Sequence, residues 1–142
     1  MRLVKHLLEG KGSAIHAIEP DKPVLDAIRL MADKYIGALL VMRGDELVGI
    51  VSERDYARKV ILKGRSSADT PVSDIMTAPV ISVAPGDSAH RCMRLMTERR
   101  IRHLPVVEDN RVVGMLSIGD LVKAVIDEQA AELEQLQRYI VG

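Results

Sequence analysis

The sequence repeats itself at a fixed interval of 65 residues. Residues 20–61 align with residues 85–126 without a gap, and 13 of the 42 aligned pairs are identical. A repeat of this size is one supersecondary unit used twice, and a single copy buries its apolar face poorly on its own. We therefore expect two small units packed about a pseudo-twofold axis, which would create two equivalent clefts suited to ligands.

The composition argues against nucleic-acid and membrane partners. Twenty Lys and Arg residues balance 20 Asp and Glu residues, Phe and Trp are absent, and no apolar run approaches the roughly 20 residues of a membrane span. The first nine residues are too short and too charged for a signal peptide. The one cysteine, Cys92, has no disulfide partner in the chain and falls among apolar helix positions. We expect a buried thiol in a cytoplasmic protein.

Hydrophobic periodicity predicts the same order of elements, β-α-β-β-α, in both copies, which is an α/β (α+β) fold. The predicted helices are 24–34 and 89–99, with further helices beginning at Ser52 and Ile118 and covering 54–62 and 118–126. The predicted hairpin strands are 38–42 with 47–51 and 103–107 with 112–116, and residues 13–18 and 80–83 are expected to be extended. A short helix is also expected over 3–9, stopped by Gly10 and Gly12.

These elements divide the chain into five segments. We expect an N-terminal helix and lead-in over 1–12, a first repeat over 13–64, a polar linker over 65–72, a second repeat over 73–126 and a C-terminal helical extension over 127–142. The extension keeps an apolar stripe at helical spacing. It either packs back on its own repeat or helps to cover a partner subunit.

In both copies the second hairpin strand runs into a helix through the pattern Gly-x-x-Ser-x-x-Asp. The pattern places Ser52 before Asp55 and Ser117 before Asp120. Ser three residues before an acid at a helix start is typical of a capping box, although the acid there is usually Glu rather than the shorter Asp. A helix start also offers free N–H groups to an anion, and a carboxylate accepts hydrogen bonds from a ribose diol. The pattern fits both capping and nucleotide binding.

The doubled motif, in register with the strands and helices, resembles a tandem CBS-domain pair (a Bateman module) over about residues 13–126. The sequences of the segments Ser52–Val60 and Ser73–Thr77 resemble those of small stand-alone two-CBS proteins. The resemblance implies a non-catalytic regulatory module that binds AMP, ADP, ATP, NAD or S-adenosylmethionine between the repeats and changes its repeat or dimer packing in response. No required cofactor is implied. An enzyme is not expected, because the catalytic barrel that CBS pairs accompany in IMP dehydrogenase is absent. The alternative is a dimeric interaction scaffold with vestigial clefts.

The resemblance also implies roles for particular residues. Asp55 and Asp120 would hold the ribose hydroxyls, and Ser52 and Ser117 would support the phosphate end. Adenine would meet the backbone near Lys11–His16 in one cleft and near Thr77–Ile81 in the other. The expected partners are an adenosine nucleotide or dinucleotide, a second copy of the chain and a regulated protein.

The two copies differ beside the motif. The start of the first hairpin strand is expected to face the cleft, where Arg102 and His103 of the second copy can contact phosphate, whereas their counterparts Gly37 and Ala38 only leave room. At the helix start the difference is reversed, since Arg54 aligns with Gly119. We expect two non-equivalent clefts, and the alternative for Arg102 and His103 is a solvated strand edge. His6 and His90 have no partners at metal-ligand spacing, so no metal site is expected.

Overall fold

A computed structural model describes residues 2–12 and 14–141 of the chain, with side chains as far as Ile140. The helices are α1 (Val4–Lys11), α2 (Val24–Lys34), α3 (Glu53–Tyr56), α4 (Ala89–Arg99) and α5 (Ile118–Val141). The strands are β1 (Ala17–Ile18), β2 (Ala38–Arg43), β3 (Glu46–Ser52), β4 (His103–Glu108) and β5 (Arg111–Ser117). A π-helical turn, Ala57–Ile61, continues α3, and a 3-10 turn covers Val72–Asp74. None of the described helices is long and apolar enough to cross a membrane.

The helices α2 and α4 have the bounds that the apolar spacing predicts. In α2 the buried side chains are Val24, Ala27 and Met31, which lie on one face because they are three and four residues apart. Both helices end at a residue in the left-handed conformation, Tyr35 and Arg100, which are equivalent in the repeat. The duplication therefore extends to the way the backbone leaves each helix.

Two antiparallel hairpins, β2–β3 and β4–β5, form the sheets in the predicted places. Ala38 pairs with Ser52, and His103 pairs with Ser117, so each motif serine lies opposite the start of the preceding strand. The strand β1 adds parallel to β2. The extended segment expected over 80–83 is reduced to a single bridge from Val83 to Val106. Its pairing with β4 is too short to count as a strand.

Two helix expectations differ from the structure. α1 passes through Gly10 and ends at Gly12, whose φ of 94° is a conformation that favours glycine. The helix expected to run regularly over 54–62 is α-helical only for one turn and then continues in π geometry over Ala57–Ile61. Both helices therefore exist, with different ends or pitch from those expected.

The described residues group into two compact units. The first unit is Ile15–Ile81, and the second unit combines Met1–Ala14 with Ser82–Gly142. Residues 65–72, expected as a linker, are part of the first unit. Thr70 is buried and its carbonyl oxygen accepts a hydrogen bond from Val24 N at 2.8 Å, and Val72 and Ile75 belong to the same core as Val24.

The second unit is built on the second repeat with α1 added to it. Val4 N donates to the carbonyl oxygen of Asp87 at 2.8 Å, and Lys5 N donates to that of Pro85 at 3.0 Å. Its buried side chains include Val4, Leu7, Cys92, Met96, Leu104, Val106, Leu116 and Leu121. The N-terminal segment thus lies in the unit of the second repeat, although it precedes the first in sequence.

Candidate functional site: the two Ser–Asp turns

The first Ser–Asp turn lies where β3 ends and α3 begins. Ser52 N donates to Oδ2 of Asp55 at 2.9 Å, and Ser52 Oγ lies 3.0 Å from the same oxygen. In return, Asp55 N donates to Ser52 Oγ at 3.2 Å. This reciprocal pattern is a capping box, so the shorter Asp side chain reaches the backbone as a Glu would. The Asp55 side chain is only 12% exposed.

The second turn has the same geometry where β5 meets α5. Ser117 N donates to Oδ2 of Asp120 at 2.7 Å, and Asp120 N donates to Ser117 Oγ at 3.2 Å. Among the described residues, none donates to the other carboxylate oxygen, Oδ1. The Asp120 side chain is 24% exposed, twice as much as that of Asp55. The second carboxylate therefore has more unused acceptor capacity.

A lysine is paired with each carboxylate, and the two lysines come from different elements. Lys59, four residues after Asp55, lies 3.1 Å from its Oδ1 and also donates to the carbonyl oxygen of Ile75 at 2.9 Å. Lys11, at the end of α1, donates to Oδ2 of Asp120 at 2.7 Å and to the carbonyl oxygen of Met115 at 2.6 Å. Each turn therefore holds an anion and a cation side by side at a helix start.

Burial and the Lys11–Asp120 ion pair shift two pKa values at the second turn. Burial favours the protonated form of Asp120, but the hydrogen bonds from Lys11 and Ser117 outweigh it and hold the pKa of that carboxyl below its usual range. His103, opposite Ser117, is affected in the same direction. Burial first, and then the nearby Lys11 cation, lower the pKa of its imidazole below 6.5. Near pH 7 the second turn therefore has a carboxylate, an ammonium group and a neutral imidazole.

The structure brings most of the predicted site residues beside the two turns. In the first unit, the carbonyl oxygen of Gly37 accepts from Glu53 N at 3.0 Å, and Thr77 exchanges two backbone hydrogen bonds with Ile50 on β3. In the second unit, the carbonyl oxygen of Arg102 accepts from Ile118 N at 2.8 Å. Arg54 and Gly119 occupy the second helical position after their serines and are both exposed.

Two predicted residues have weaker links to the turns. The carbonyl oxygen of His16 accepts from Leu40 N at 3.1 Å, which places His16 beside β2, two positions beyond Ala38 along that strand. Ile81 ends the first unit and is half-buried. The structure thus groups Thr77 with the first turn and Lys11 with the second, an assignment that the sequence left open.

Each turn is approached by a side chain from outside its own repeat at the same glycine. A Cβ atom on Gly49 would lie 2.5 Å from Sδ of Met76, and one on Gly114 would lie 2.7 Å from Cδ2 of Leu8. Glycine at these positions allows a neighbouring segment to lie directly on the hairpin. That segment carries Thr77 to the first turn and Lys11 to the second.

Lys59 was not among the predicted site residues, and Lys11 was predicted to lie near the adenine rather than to form an ion pair. The repeat contained a usable signal. Lys59 aligns with Ala124, and Lys11 aligns with Met76, so each copy has a lysine at only one of two equivalent positions. The second copy lacks the i, i+4 lysine and receives its cation from α1 instead.

A shallow depression lined by Glu19, Pro20, Asp21, Arg43 and Gly44 lies at the end of β2 opposite to Ala38 and includes none of the predicted site residues. Within residues 2–12 and 14–141, no group of three or more His, Cys, Asp or Glu side chains is arranged to hold a metal ion. The Ser–Asp turns are the candidate site.

Two repeats that share a helix, a β-hairpin and a Ser–Asp helix start, with an extended lead-in reduced to one bridge in the second repeat, define a CBS-domain pair. The CBS domain family matches residues 13–62 and 72–127, so the chain belongs to that family. CBS-domain pairs are regulatory modules. A relative, the mitochondrial CBS domain-containing protein CBSX3 of Arabidopsis thaliana, is 48% identical over 127 residues, which cover 86% of this chain and 62% of the plant protein.

Solved structures share the fold. The crystal structure of the CBS domain NE2398 is 50% identical, covers 88% of this chain and 98% of its own, and superposes with a TM-score of 0.85. The CBS domain pair of protein MJ0100, solved in complex with 5′-methylthioadenosine and S-adenosyl-L-methionine, is 23% identical, covers 90% of this chain and 98% of its own, and has a TM-score of 0.80. The second similarity concerns the fold alone.

Proposed function

We propose that this chain is a non-catalytic sensor that binds adenosine-containing ligands, namely AMP, ADP, ATP, NAD or S-adenosylmethionine, at its two Ser–Asp turns. The observation that carries the proposal is the doubled turn itself. Each turn places a fixed carboxylate and a lysine within a few ångströms of each other at a helix start. The adenosyl ligands of MJ0100, which has the same fold, support this class of ligand. The ligand is the effector, and no further cofactor is required.

The residues at each turn suit different parts of such a ligand. Asp120 Oδ1 and the remaining lone pairs of Asp55 accept hydrogen bonds from ribose hydroxyls. Lys11 and Lys59 offset the repulsion that a bare carboxylate would exert on a phosphate. The first and third N–H groups of each helix are already hydrogen-bonded, so the N–H of the second residue, Arg54 or Gly119, is the donor left for the phosphate end, supported by Ser52 and Ser117. Because the two cations come from different elements, we expect two non-equivalent sites.

Binding acts by shifting an existing equilibrium. A ligand that binds one packing of a homodimer better than another increases the population of that packing, and a regulated protein partner would respond to the change. A cytoplasmic location fits Cys92, a buried free thiol in a chain with no second cysteine.

A thermal-shift panel with the five ligands tests the proposal. A ligand at 100-fold excess over its Kd adds about 2.7 kcal/mol to the free energy of unfolding, which raises Tm by several degrees. Asp55→Asn and Asp120→Asn should each remove part of the ligand-induced rise, measured from each variant's own ligand-free Tm. Asp74→Asn is the matched control, because Asp74 is an exposed aspartate paired with Arg65 outside the turns. An unchanged wild-type Tm with all five ligands would count against the sensor.

A second candidate function is a dimeric interaction scaffold with vestigial sites. Both carboxylates already cap their own helices and pair with lysines, which a purely structural role would explain. That function predicts that the two Asp→Asn variants lose only cap stability, about 1 kcal/mol each, with no ligand response to lose. Calorimetry on the wild-type chain separates the two functions, because the scaffold gives no binding heat.

A further inference from the structure

The outer half of α5 has no buried side chain among the described residues. Leu121 and Ala124 are buried, but every side chain from Gln129 to Ile140 is exposed. A helical segment of this length is marginal in water when nothing packs against it. Its stability therefore depends on a contact that the second unit does not supply.

Five of the seven large apolar side chains exposed on α5 as far as Ile140 follow a heptad, and the other two, Ile118 and Tyr139, lie outside it. Val122, Ile126, Leu133, Leu136 and Ile140 are 43%, 59%, 58%, 59% and 80% exposed, and Gln129 occupies the remaining position of the series. The steps between these six positions alternate four and three, an average of 3.5 residues that keeps one stripe facing a second helix. We call the six residues the α5 seam. Its period is that of a helix pair rather than of a helix lying on a sheet.

We propose that the α5 seam pairs with the α5 seam of a second copy, parallel and in register. The identity of the occupant follows from Gln129, the one polar residue of the seam. In a parallel pair each Gln129 faces the other, and the two side-chain amides can hydrogen bond to each other. In an antiparallel pair with the same layers, Gln129 would face Leu133 and leave its amide unpaired, which is costly.

The charge beside the seam favours the same orientation. Glu132 flanks the seam, and a parallel pair places it opposite Gln137 of the other helix. An antiparallel pair would place Glu132 against its own copy and bring two like charges together. Tyr139, 87% exposed, flanks the seam on the same side and adds apolar surface near Ile140.

The proposal deepens the homodimer proposed above and does not depend on nucleotide binding. Its test is disulfide cross-linking of the full chain. The native Cys92 is fully buried and should not react, so an introduced cysteine provides the accessible thiol. Facing seam positions of two parallel helices bring Cα atoms within the 4.4–6.8 Å range of a disulfide. Gln129→Cys probes the seam, and Gln135→Cys, another exposed glutamine on the opposite side of the same helix, is the matched control.

Under mild oxidation, Gln129→Cys should form a covalent dimer at least about tenfold faster than Gln135→Cys. Circular dichroism confirms that each variant folds, and light scattering gives the mass of the wild-type chain. A dimeric mass without preferential Gln129 cross-linking would overturn the seam and leave the homodimer standing. A monomeric mass would overturn both. Faster cross-linking of Glu132→Cys than of Gln129→Cys would indicate antiparallel helices and overturn the proposed register.

Discussion

Lys11 and Asp120 form an ion pair across 109 positions of sequence, with Nζ 2.7 Å from Oδ2. The equivalent carboxylate, Asp55, is paired with Lys59 of the following helical turn at 3.1 Å. Both helix starts therefore have a lysine beside the carboxylate, supplied locally in one repeat and by a distant helix in the other. The second turn thus depends on the docking of α1, and the first does not.

Replacing Lys11 by Met, the residue at the equivalent position in the repeat, should raise two pKa values at once. The pKa of Asp120 rises because its carboxylate loses a hydrogen bond and a neighbouring cation, and that of His103 rises because the same cation no longer opposes protonation. An NMR titration of the His103 imidazole measures the second change. Lys63→Met, in the first unit, is the control. An unchanged His103 titration in Lys11→Met would contradict the electrostatic role of Lys11.

Stability should depend on pH through His103 and Asp120 in separate ranges. Because the folded state lowers the pKa of His103, the unfolded chain binds that proton more readily. The free energy of unfolding should therefore rise as pH increases toward about 6.5 and level off above it. The contribution of Asp120, whose folded pKa is also lowered, is present above about pH 3.8 and is lost as pH falls through the folded pKa.

Urea unfolding between pH 5 and 8 should show the His103 part alone. His103→Gln should flatten that portion of the profile, and His90→Gln, at an exposed position of α4, should not. Equal profiles for wild type and His103→Gln would contradict the assignment.

Gly114→Ala should destabilise the second unit by about 1–3 kcal/mol, because the added Cβ would overlap Cδ2 of Leu8 and displace that half-buried side chain from β5. Gly86→Ala in the same unit is the matched control. Its Cβ would meet no atom within 4 Å, so its effect should be neutral or stabilising by up to about 1 kcal/mol. Denaturant unfolding compares the two variants. Equal effects of the two variants would mean that the close contact of Leu8 with Gly114 does not contribute to the free energy of unfolding.

Gly10→Ala and Gly12→Ala should have opposite effects, although both positions are exposed and neither Cβ would meet an atom within 4 Å. Gly10 lies inside α1, where alanine is favoured over glycine by about 1 kcal/mol. Gly12 has a φ of 94°, which alanine adopts only with strain. Thermal unfolding should show a higher Tm for the first variant and a lower Tm for the second. A gain in both would place the end of α1 beyond residue 12.

The sequence was sufficient for those features that are encoded locally. Apolar spacing defined the bounds of α2 and α4, and the paired apolar runs located both hairpins, because these patterns depend on neighbours three, four or two residues apart. The doubled motif identified the two helix starts. The π-helical turn after Tyr56 was not visible, because one additional residue in a turn hardly changes an apolar pattern.

Long-range placement was not predictable from the repeat. An alignment of residue n with n+65 shows which segments are alike but not which unit receives the segment before each repeat. Residues 1–14 and 65–81 were therefore placed by their order in sequence, and the Lys11–Asp120 pair was missed. The sequence does contain a related signal, because Lys11 aligns with Met76 and Lys59 aligns with Ala124. That signal can be interpreted only when α1 is known to lie beside β5.

Because the N-terminal helix belongs to the unit of the second repeat, the first unit is an insertion within the sequence of the second. The first unit occupies one unbroken stretch, Ile15–Ile81, and can be excised as a single polypeptide. Its companion is interrupted in sequence and could be produced alone only by splicing residue 14 to residue 82. Deleting residues 1–12 would therefore destabilise the second unit, most of which lies far away in sequence. The first unit, which follows the deletion directly, would be unaffected.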